Sequence, residues 1–218
     1  MAKRTLTVVG TGTASVAPDV VRLDLRVGHD AGDVAAALTG ASEGIAAVGG
    51  VVRASGVADA DIRTLDVSVS QRYDHTGAPV GFTAQQRLRV TVRRLESVGA
   101  ILEAAAGAVG NALLVDQVRL DVADRSQGLA TARDAAFAEA RAKAEQYAGL
   151  SAAELGDVLG VVESGAVPFQ PASSLSFAAR DMAAGMPVEG GDLELGASVT
   201  VTWQLRPTGR GPGAARPE

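Results

Sequence analysis

Apolar and polar residues alternate along much of this chain, and a period of two is typical of a β-strand. Residues 4–17 and 20–29 both alternate in this way, and Pro18-Asp19 between them is typical of a turn. The pattern therefore predicts a β-hairpin with one solvent-exposed face. Further strands are predicted at residues 62–74, 81–93, 113–123, 157–163 and 192–206.

Three segments change to a period of three to four, which is typical of an amphipathic helix. They are residues 32–54, a short segment carrying Leu95 to Ala105, and residues 126–148. Gly56 and Gly149 are the predicted stops of the first and third helices, and Asp124 with Gln127 is a predicted capping box. Within the third helix, a row of alanines predicts close packing on a sheet: Ala132, Ala136, Ala140 and Ala144.

The predicted order of elements is β-β-α-β-β-α-β-α-β-β. Paired strands separated by helices favour an α+β fold, with mostly antiparallel sheet and the helices packed on one face. The alternation of buried and exposed positions favours this arrangement over a doubly wound parallel sheet. We predict one domain over residues 4–206.

Residues 165–191 break every period and contain three prolines. A loop of this length inside a compact domain is usually functional or disordered. Its large apolar side chains predict an interface between copies of the chain, although they could instead cover the core of their own domain. These residues are Phe169, Leu175, Phe177, Met182 and Met186. The tail at residues 207–218 is rich in Gly, Pro and Arg and is predicted to be disordered.

Composition excludes several classes of function. The 218 residues include no cysteine, so disulfides, thiolate catalysis and Cys-based zinc sites are excluded. The net charge of -5 argues against non-specific binding of nucleic acid. The N-terminus lacks the apolar core of a signal peptide, and no continuous apolar run is long enough to span a membrane. We therefore expect a cytoplasmic protein without membrane contact.

The candidate chemistry is sparse. Gly10-Thr11-Gly12 resembles the start of a dinucleotide fingerprint, but Ser15 stands at the third glycine and Pro18 prevents a following helix. The two glycines are better explained by a bulge or by close packing. His29 and His75 are the only histidines, and we expect both to be solvated residues of turns. The cluster Arg87, Arg89, Arg93 and Arg94 is interpreted as a solvated strand face. No catalytic, cofactor-binding or metal-ligating residue is predicted, so we expect a protein without enzymatic activity.

Several landmarks occur in the order found in one known family. Val8-Val9-Gly10-Thr11-Gly12 with Pro18-Asp19 resembles the start of the SIMPL domain, also called DUF541. The later landmarks are Asp61-Ile62-Arg63-Thr64, Gly81-Phe82 with Ala84, Gly110-Asn111, the alanine-rich helix around Asp134-Ala135, and Leu155-Gly156 with Val158. Together they cover residues 4–206, nearly all of the predicted fold.

This resemblance implies a relationship to bacterial outer-membrane-antigen-like proteins that assemble into large hollow rings, some of them linked to oxidative-stress tolerance. It implies no catalytic residue. We therefore expect a homo-oligomeric scaffold or ring without a cofactor, whose partner is a second copy of itself or another protein. A module that binds a small molecule or peptide is an alternative, and an uncharacterised enzyme is another.

Overall fold

The computed structural model describes residues 4–164 and 191–208. The predicted order of elements is confirmed, and the fold is α+β with two antiparallel sheets. The strands are β1 (Thr5–Val16), β2 (Val20–Ala31), β3 (Ile62–Tyr73), β4 (Pro79–Val92), β5 (Leu113–Asp121), β6 (Ala153–Ser164) and β7 (Leu193–Pro207). The helices are α1 (Val34–Ala54), α2 (Val98–Val109) and α3 (Ser126–Leu150).

The chain divides into two compact units, each containing one sheet. The first unit contains residues 4–16, 124–164 and 192–208, and its three strands lie in the order β1-β7-β6. The second unit contains residues 17–123, and its four strands lie in the order β3-β4-β2-β5. The prediction of a single domain over residues 4–206 stays a prediction.

The predicted β1–β2 hairpin is wrong. β1 pairs in antiparallel fashion with β7, so that Val8 lies opposite Val201, whereas β2 lies between β4 and β5. Both strands alternate as expected, but alternation shows which side of a strand is buried and not which strand lies beside it. The turn at Pro18-Asp19 therefore leads from one sheet into the other.

The core of the second unit lies between its sheet and helices α1 and α2. Val21, Leu23, Leu25 and Val27 of β2 are fully buried on the helix side, as their period of two predicts. α1 contributes Ile45, Val48 and Val52 to the same cluster. α1 ends at Ala54 with Ser55 as its C-cap, and Gly56 adopts a positive φ of 87°, which confirms the predicted stop.

The core of the first unit is built from small residues of α3 and larger residues of β7. The predicted alanine row is confirmed, because Ala132, Ala136, Ala140 and Ala144 are all fully buried against the sheet. Trp203 of β7 completes this core and lies 6.2 Å from Phe137 between ring centroids.

Both predicted ends of α3 need correction. Gly149 lies inside the helix, which continues to Leu150, and the turn after it is made by Ala152 at a φ of 49°. At the other end, Asp124 Oδ1 accepts hydrogen bonds from the backbone N–H of Ser126 at 2.9 Å and from its hydroxyl at 2.5 Å. Asp124 therefore orders the first turn through Ser126 and not through the capping box with Gln127. These bonds stabilise the carboxylate and lower the pKa of Asp124.

Candidate functional site: the strand edges

Gly10 and Gly12 lie where β1 passes under α3. A Cβ atom at Gly10 would be 2.1 Å from the carbonyl oxygen of Ala136, and one at Gly12 would be 2.3 Å from that of Ala132. Both contacts are with backbone atoms, which cannot rotate away. The close-packing interpretation of this glycine pair is therefore confirmed, and the strand is followed by a second strand, as the sequence analysis expected.

The outer edge of β1 is closed by side chains of α3. Glu139 Oε2 accepts a hydrogen bond of 2.5 Å from the backbone N–H of Thr11, and Lys143 Nζ donates one of 3.1 Å to the carbonyl of Val9. Glu139 and Lys143 also form an ion pair with each other, 3.1 Å apart. These bonds, first of all the one from the Thr11 N–H, lower the pKa of Glu139. The middle of the strand edge is thus occupied by polar side chains that hinder another strand from pairing with it.

The other edge of this sheet, β6, is arranged differently. Among the residues that the structure describes, β6 has a strand neighbour on one side only, namely β7. Val161 lies opposite Val201 on the helix-bearing side, yet it is 52% exposed because α3 does not extend over it. Large apolar side chains are exposed from the middle of this strand onward: Val158, Leu159, Val161 and Val162. An open edge beside exposed apolar side chains is typical of a surface that binds another strand.

β3 is a second open edge, in the four-stranded sheet. It pairs with β4 alone among the described strands, and it is as long as β6, with 12 residues. Val67 lies opposite Gln86 and Val69 opposite Ala84, on the helix-bearing side but beyond the cover of α1. The exposed apolar residues of this strand are Leu65, Val67, Val69 and Tyr73. The predicted strand at residues 62–74 is confirmed, but the sequence does not predict that its apolar residues are exposed.

The predicted interface residues lie outside the described residues, as does most of the predicted tail. They are Phe169, Leu175, Phe177, Met182 and Met186. The part of the tail that the structure describes includes Pro207, which belongs to β7. The sequence does not predict the open strand edges, although runs such as Val158-Leu159 and Val161-Val162 break the alternation and are a usable signal.

The clustered arginines lie on a charged sheet face and are held by acidic partners. Arg89 binds Asp24 through two hydrogen bonds of 2.7 Å, and Arg93 binds Asp61 at 2.9 and 3.0 Å. Arg87 contacts Asp66, and Arg94 donates to the carbonyl of Ser55 at 3.2 Å. These partners raise the pKa values of Arg87, Arg89 and Arg93, each first of all through its hydrogen-bonded carboxylate. Three of the four charges are therefore neutralised locally, which does not favour a binding site for anions.

Asp24 is the most constrained carboxylate of this charged face. Its side chain is largely buried, and the two hydrogen bonds from Arg89 lower its pKa more strongly than burial raises it. On the same strand, Arg22 Nε lies 2.5 Å from Asp121 Oδ2, and Arg26 donates to Asp116. These carboxylates thus connect the three strands β2, β4 and β5.

The two histidines are not brought together with carboxylates into a metal site. His29 lies within β2 and not in a turn, which corrects the prediction for this residue; its ring packs against Gly40 of α1. His75 lies in the turn between β3 and β4, as predicted. Within the described ranges, no group of three or more His, Asp or Glu residues could hold a metal ion.

A small cavity of about 260 Å³ lies in the first unit between α3 and β6. Its apolar lining is Phe137, Leu155, Val158 and Trp203, and the charged side chains of Arg141 and Glu145 are also part of it. Arg141 and Glu145 pair with each other 2.9 Å apart. Ligand-binding pockets usually have roughly 300–1,000 Å³, so this cavity suits only a small molecule.

We expect that removing the Glu139 side chain opens the edge of β1. In the variant Glu139→Ala, the Thr11 N–H loses its acceptor and Lys143 loses its ion-pair partner, so that the edge becomes easier to pair with another strand. Dynamic light scattering should then show larger particles as concentration rises. The matched control is Glu145→Ala, which breaks the Arg141 pair on the same helix without touching β1; equal growth in both variants would contradict the closed-edge interpretation.

Among the described residues, α1 is the one helix whose length and hydropathy would suffice to cross a membrane. A helix buried in a protein core meets the same criterion. Here one face of α1, including Ile45, Val48 and Val52, packs against the valines and leucines of β2. α1 therefore packs into the core of the second unit through an apolar face, as a core helix does.

Comparison with known proteins gives one clear result. No curated protein matches the chain. The SIMPL family model, described as a protein of unknown function (DUF541), matches residues 6–203. This range runs from β1 to β7 and includes every described helix and strand at least in part. The chain therefore belongs to the SIMPL (DUF541) family.

Proposed function

We propose that this protein is a non-enzymatic subunit of a homo-oligomeric scaffold or ring. The observation that supports this proposal is the difference between the two edges of one sheet. Glu139 and Lys143 occupy the edge of β1, whereas no described strand covers the edge of β6, which is flanked by exposed valines. A monomeric protein would benefit from protecting both edges, because an open edge exposes backbone groups to unwanted pairing.

The chemistry of the exposed residues indicates a strand as the partner. The backbone N–H and C=O groups of an edge strand bind those of another strand, and the flanking valines add apolar contact area. A second copy of the same chain supplies such a strand without any further component. Closed rings arise from repeated contacts of one kind between identical subunits.

The mass of the particle in solution tests this proposal. Size-exclusion chromatography with light scattering should give a defined multiple of 22.0 kDa. A monomer of 22 kDa at every concentration would contradict the proposal. A mass that rises without limit would indicate aggregation and would equally contradict a defined scaffold.

The variant Val161→Lys tests the role of the β6 edge. A lysine at this position would place its charge among the apolar residues of a buried contact, so we expect association to weaken by at least about tenfold, or about 1.4 kcal/mol. The matched control is Val9→Lys on the closed β1 strand, because Val9 is 50% exposed and Val161 52%. Sedimentation equilibrium measures both variants, and equal effects in the two would count against the β6 edge.

A small-molecule-binding module is the second candidate function, and the cavity lined by Phe137 and Trp203 favours it. Native mass spectrometry of freshly purified protein distinguishes the two candidates in the same spectrum. A scaffold gives a multiple of the subunit mass, whereas a binding module gives a subunit with a retained ligand. A cytoplasmic location and a role in oxidative-stress tolerance stay predictions from the sequence.

A further inference from the structure

We infer that the subunits join through unlike edges, the β6 edge of one copy pairing with the β3 edge of the next. This inference rests on the proposed homo-oligomer and adds to it the two surfaces that meet. The four edge strands of the described residues are β1, β6, β3 and β5. Two properties, backbone access and charge, select β3 as the partner of β6.

β1 is an unsuitable partner for β6 because some of its backbone groups are already hydrogen-bonded to side chains. The Thr11 N–H and the Val9 carbonyl are bound by Glu139 and Lys143, so a second strand would have to displace both side chains. β5 is shorter than the other edges, with nine residues, whereas β3 and β6 have 12 each. Two edges of equal length bury the most backbone on pairing.

Charge selects unlike edges over like edges. β6 contains three acidic residues and no basic one, Glu154, Asp157 and Glu163, which gives the strand a net charge of -3. β3 contains Arg63, Arg72 and Asp66, which gives it a net charge of +1. β1 is uncharged, and β5, with two aspartates and one arginine, is negative. β3 is thus the one described edge with a positive net charge, and a contact of β6 with another β6 would bring two acidic strands together.

Local ion pairs leave a complementary charge on each strand. Asp157 is bound by Arg206 and Glu163 by Arg133, while Asp66 is bound by Arg87 and Arg72 by Asp30. Among the described residues, this leaves Glu154 on β6 and Arg63 on β3 without an ion-pair partner. Within the described ion pairs, β6 therefore keeps an acidic side chain without a partner and β3 keeps a basic one, so the two could pair with each other.

The apolar residues of the two edges also match. Val161 lies within the regular part of β6, from Gly160 to Ser164, and Val69 within the regular part of β3, from Asp66 to Arg72. Both side chains lie on the helix-bearing side of their sheets and are exposed. Pairing the two strands would place these valines in one continuous apolar strip. Such a contact leaves one unused edge at each end of a dimer, so further subunits can add, and the assembly closes into a ring when the rotation between neighbours allows it.

Single-cysteine variants test this arrangement, because the chain contains no cysteine of its own. Val161→Cys and ¹⁵N-labelled Val69→Cys are mixed at an equal ratio under dissociating conditions, reassembled, and treated with a short bis-maleimide. Mass spectrometry should show cross-linked pairs of one labelled and one unlabelled chain. We expect about a tenfold excess over pairs of identical chains, which corresponds to about 1.4 kcal/mol between the two kinds of contact.

The other outcomes separate this inference from the proposed function. Pairs of two Val161→Cys chains would show that β6 meets β6 and would overturn the inference while the oligomer stands. The inference would also be overturned if Val69→Cys cross-linked equally well to the control Val9→Cys. It would likewise be overturned if no cross-link formed in a particle that light scattering shows to be an oligomer. A monomer in light scattering would overturn the proposed function and this inference together.

Discussion

Replacing Gly10 with alanine is expected to destabilise the protein by about 3 kcal/mol or more, at the upper end of the usual cost of overpacking. The added methyl group would lie 2.1 Å from the carbonyl oxygen of Ala136 and 2.6 Å from the backbone nitrogen of Ala140. Because neither atom belongs to a flexible side chain, α3 itself must move away from β1. That movement separates Ala132, Ala136 and Ala140 from the sheet along the whole contact between α3 and β1.

Urea and thermal unfolding of the Gly10→Ala variant provide the measurement. For a chain of this size, a loss of 3 kcal/mol lowers the Tm by roughly 6–12 °C. The matched control is Gly160→Ala in β6, where an added Cβ meets no atom within 4 Å. An alanine there should be neutral or stabilising by up to about 1 kcal/mol, because a glycine in a strand loses more conformational freedom on folding. Similar losses in both variants would contradict the close-packing role of Gly10.

Replacing Asp24 with asparagine is expected to cost about 2–3 kcal/mol. Breaking a fully buried ion pair costs about 3–5 kcal/mol, and the value here is lower because the Arg89 side chain is 30% exposed. The amide nitrogen would face an arginine donor and could not replace the second hydrogen bond. The control is Asp157→Asn, whose side chain is 72% exposed and which we expect to change stability by less than about 0.5 kcal/mol.

The pH dependence of this variant gives a second measurement. The folded protein lowers the pKa of Asp24, so the carboxylate contributes its full stability above the ordinary aspartate value of about 3.9. That contribution is lost as the pH falls through the lower, folded-state pKa. The difference in unfolding free energy between the wild type and Asp24→Asn should therefore be constant near neutral pH and become smaller below about pH 4. A difference that does not change with pH would show that the loss comes from packing and not from the carboxylate charge.

Local patterns in the sequence predicted the elements but not their neighbours. The alternation around Val21 and Leu23 placed β2 correctly and identified its buried side, because both follow from the geometry of a single strand. The pairing of β1 with β7 joins residues almost 200 positions apart, and no local pattern encodes it. The sequence pattern therefore predicts the nearby strand β2 as the partner of β1, whereas the partner is β7.

The exposed edges show a related limit. Val67, Val69 and Val161 have the period of buried residues and lie on the helix-bearing sides of their sheets. Whether such a residue is covered depends on how far a helix extends across the sheet, which is a property of the whole unit. The opposite case is the Gly10 and Ala136 contact, where small residues on both partners let the sequence predict close packing correctly.

The alanine row of α3 has a consequence for the position of the helix along the sheet. Alanines recur at every fourth residue from 132 to 148, so a helix displaced by one turn, about 5.4 Å, would present nearly the same smooth surface to Gly10 and Gly12. The small residues therefore fix the distance between helix and sheet but not the helix's position along its axis. That position is fixed by the contacts that do not repeat: Glu139 on the Thr11 N–H, Lys143 on the Val9 carbonyl, and Phe137 beside Trp203.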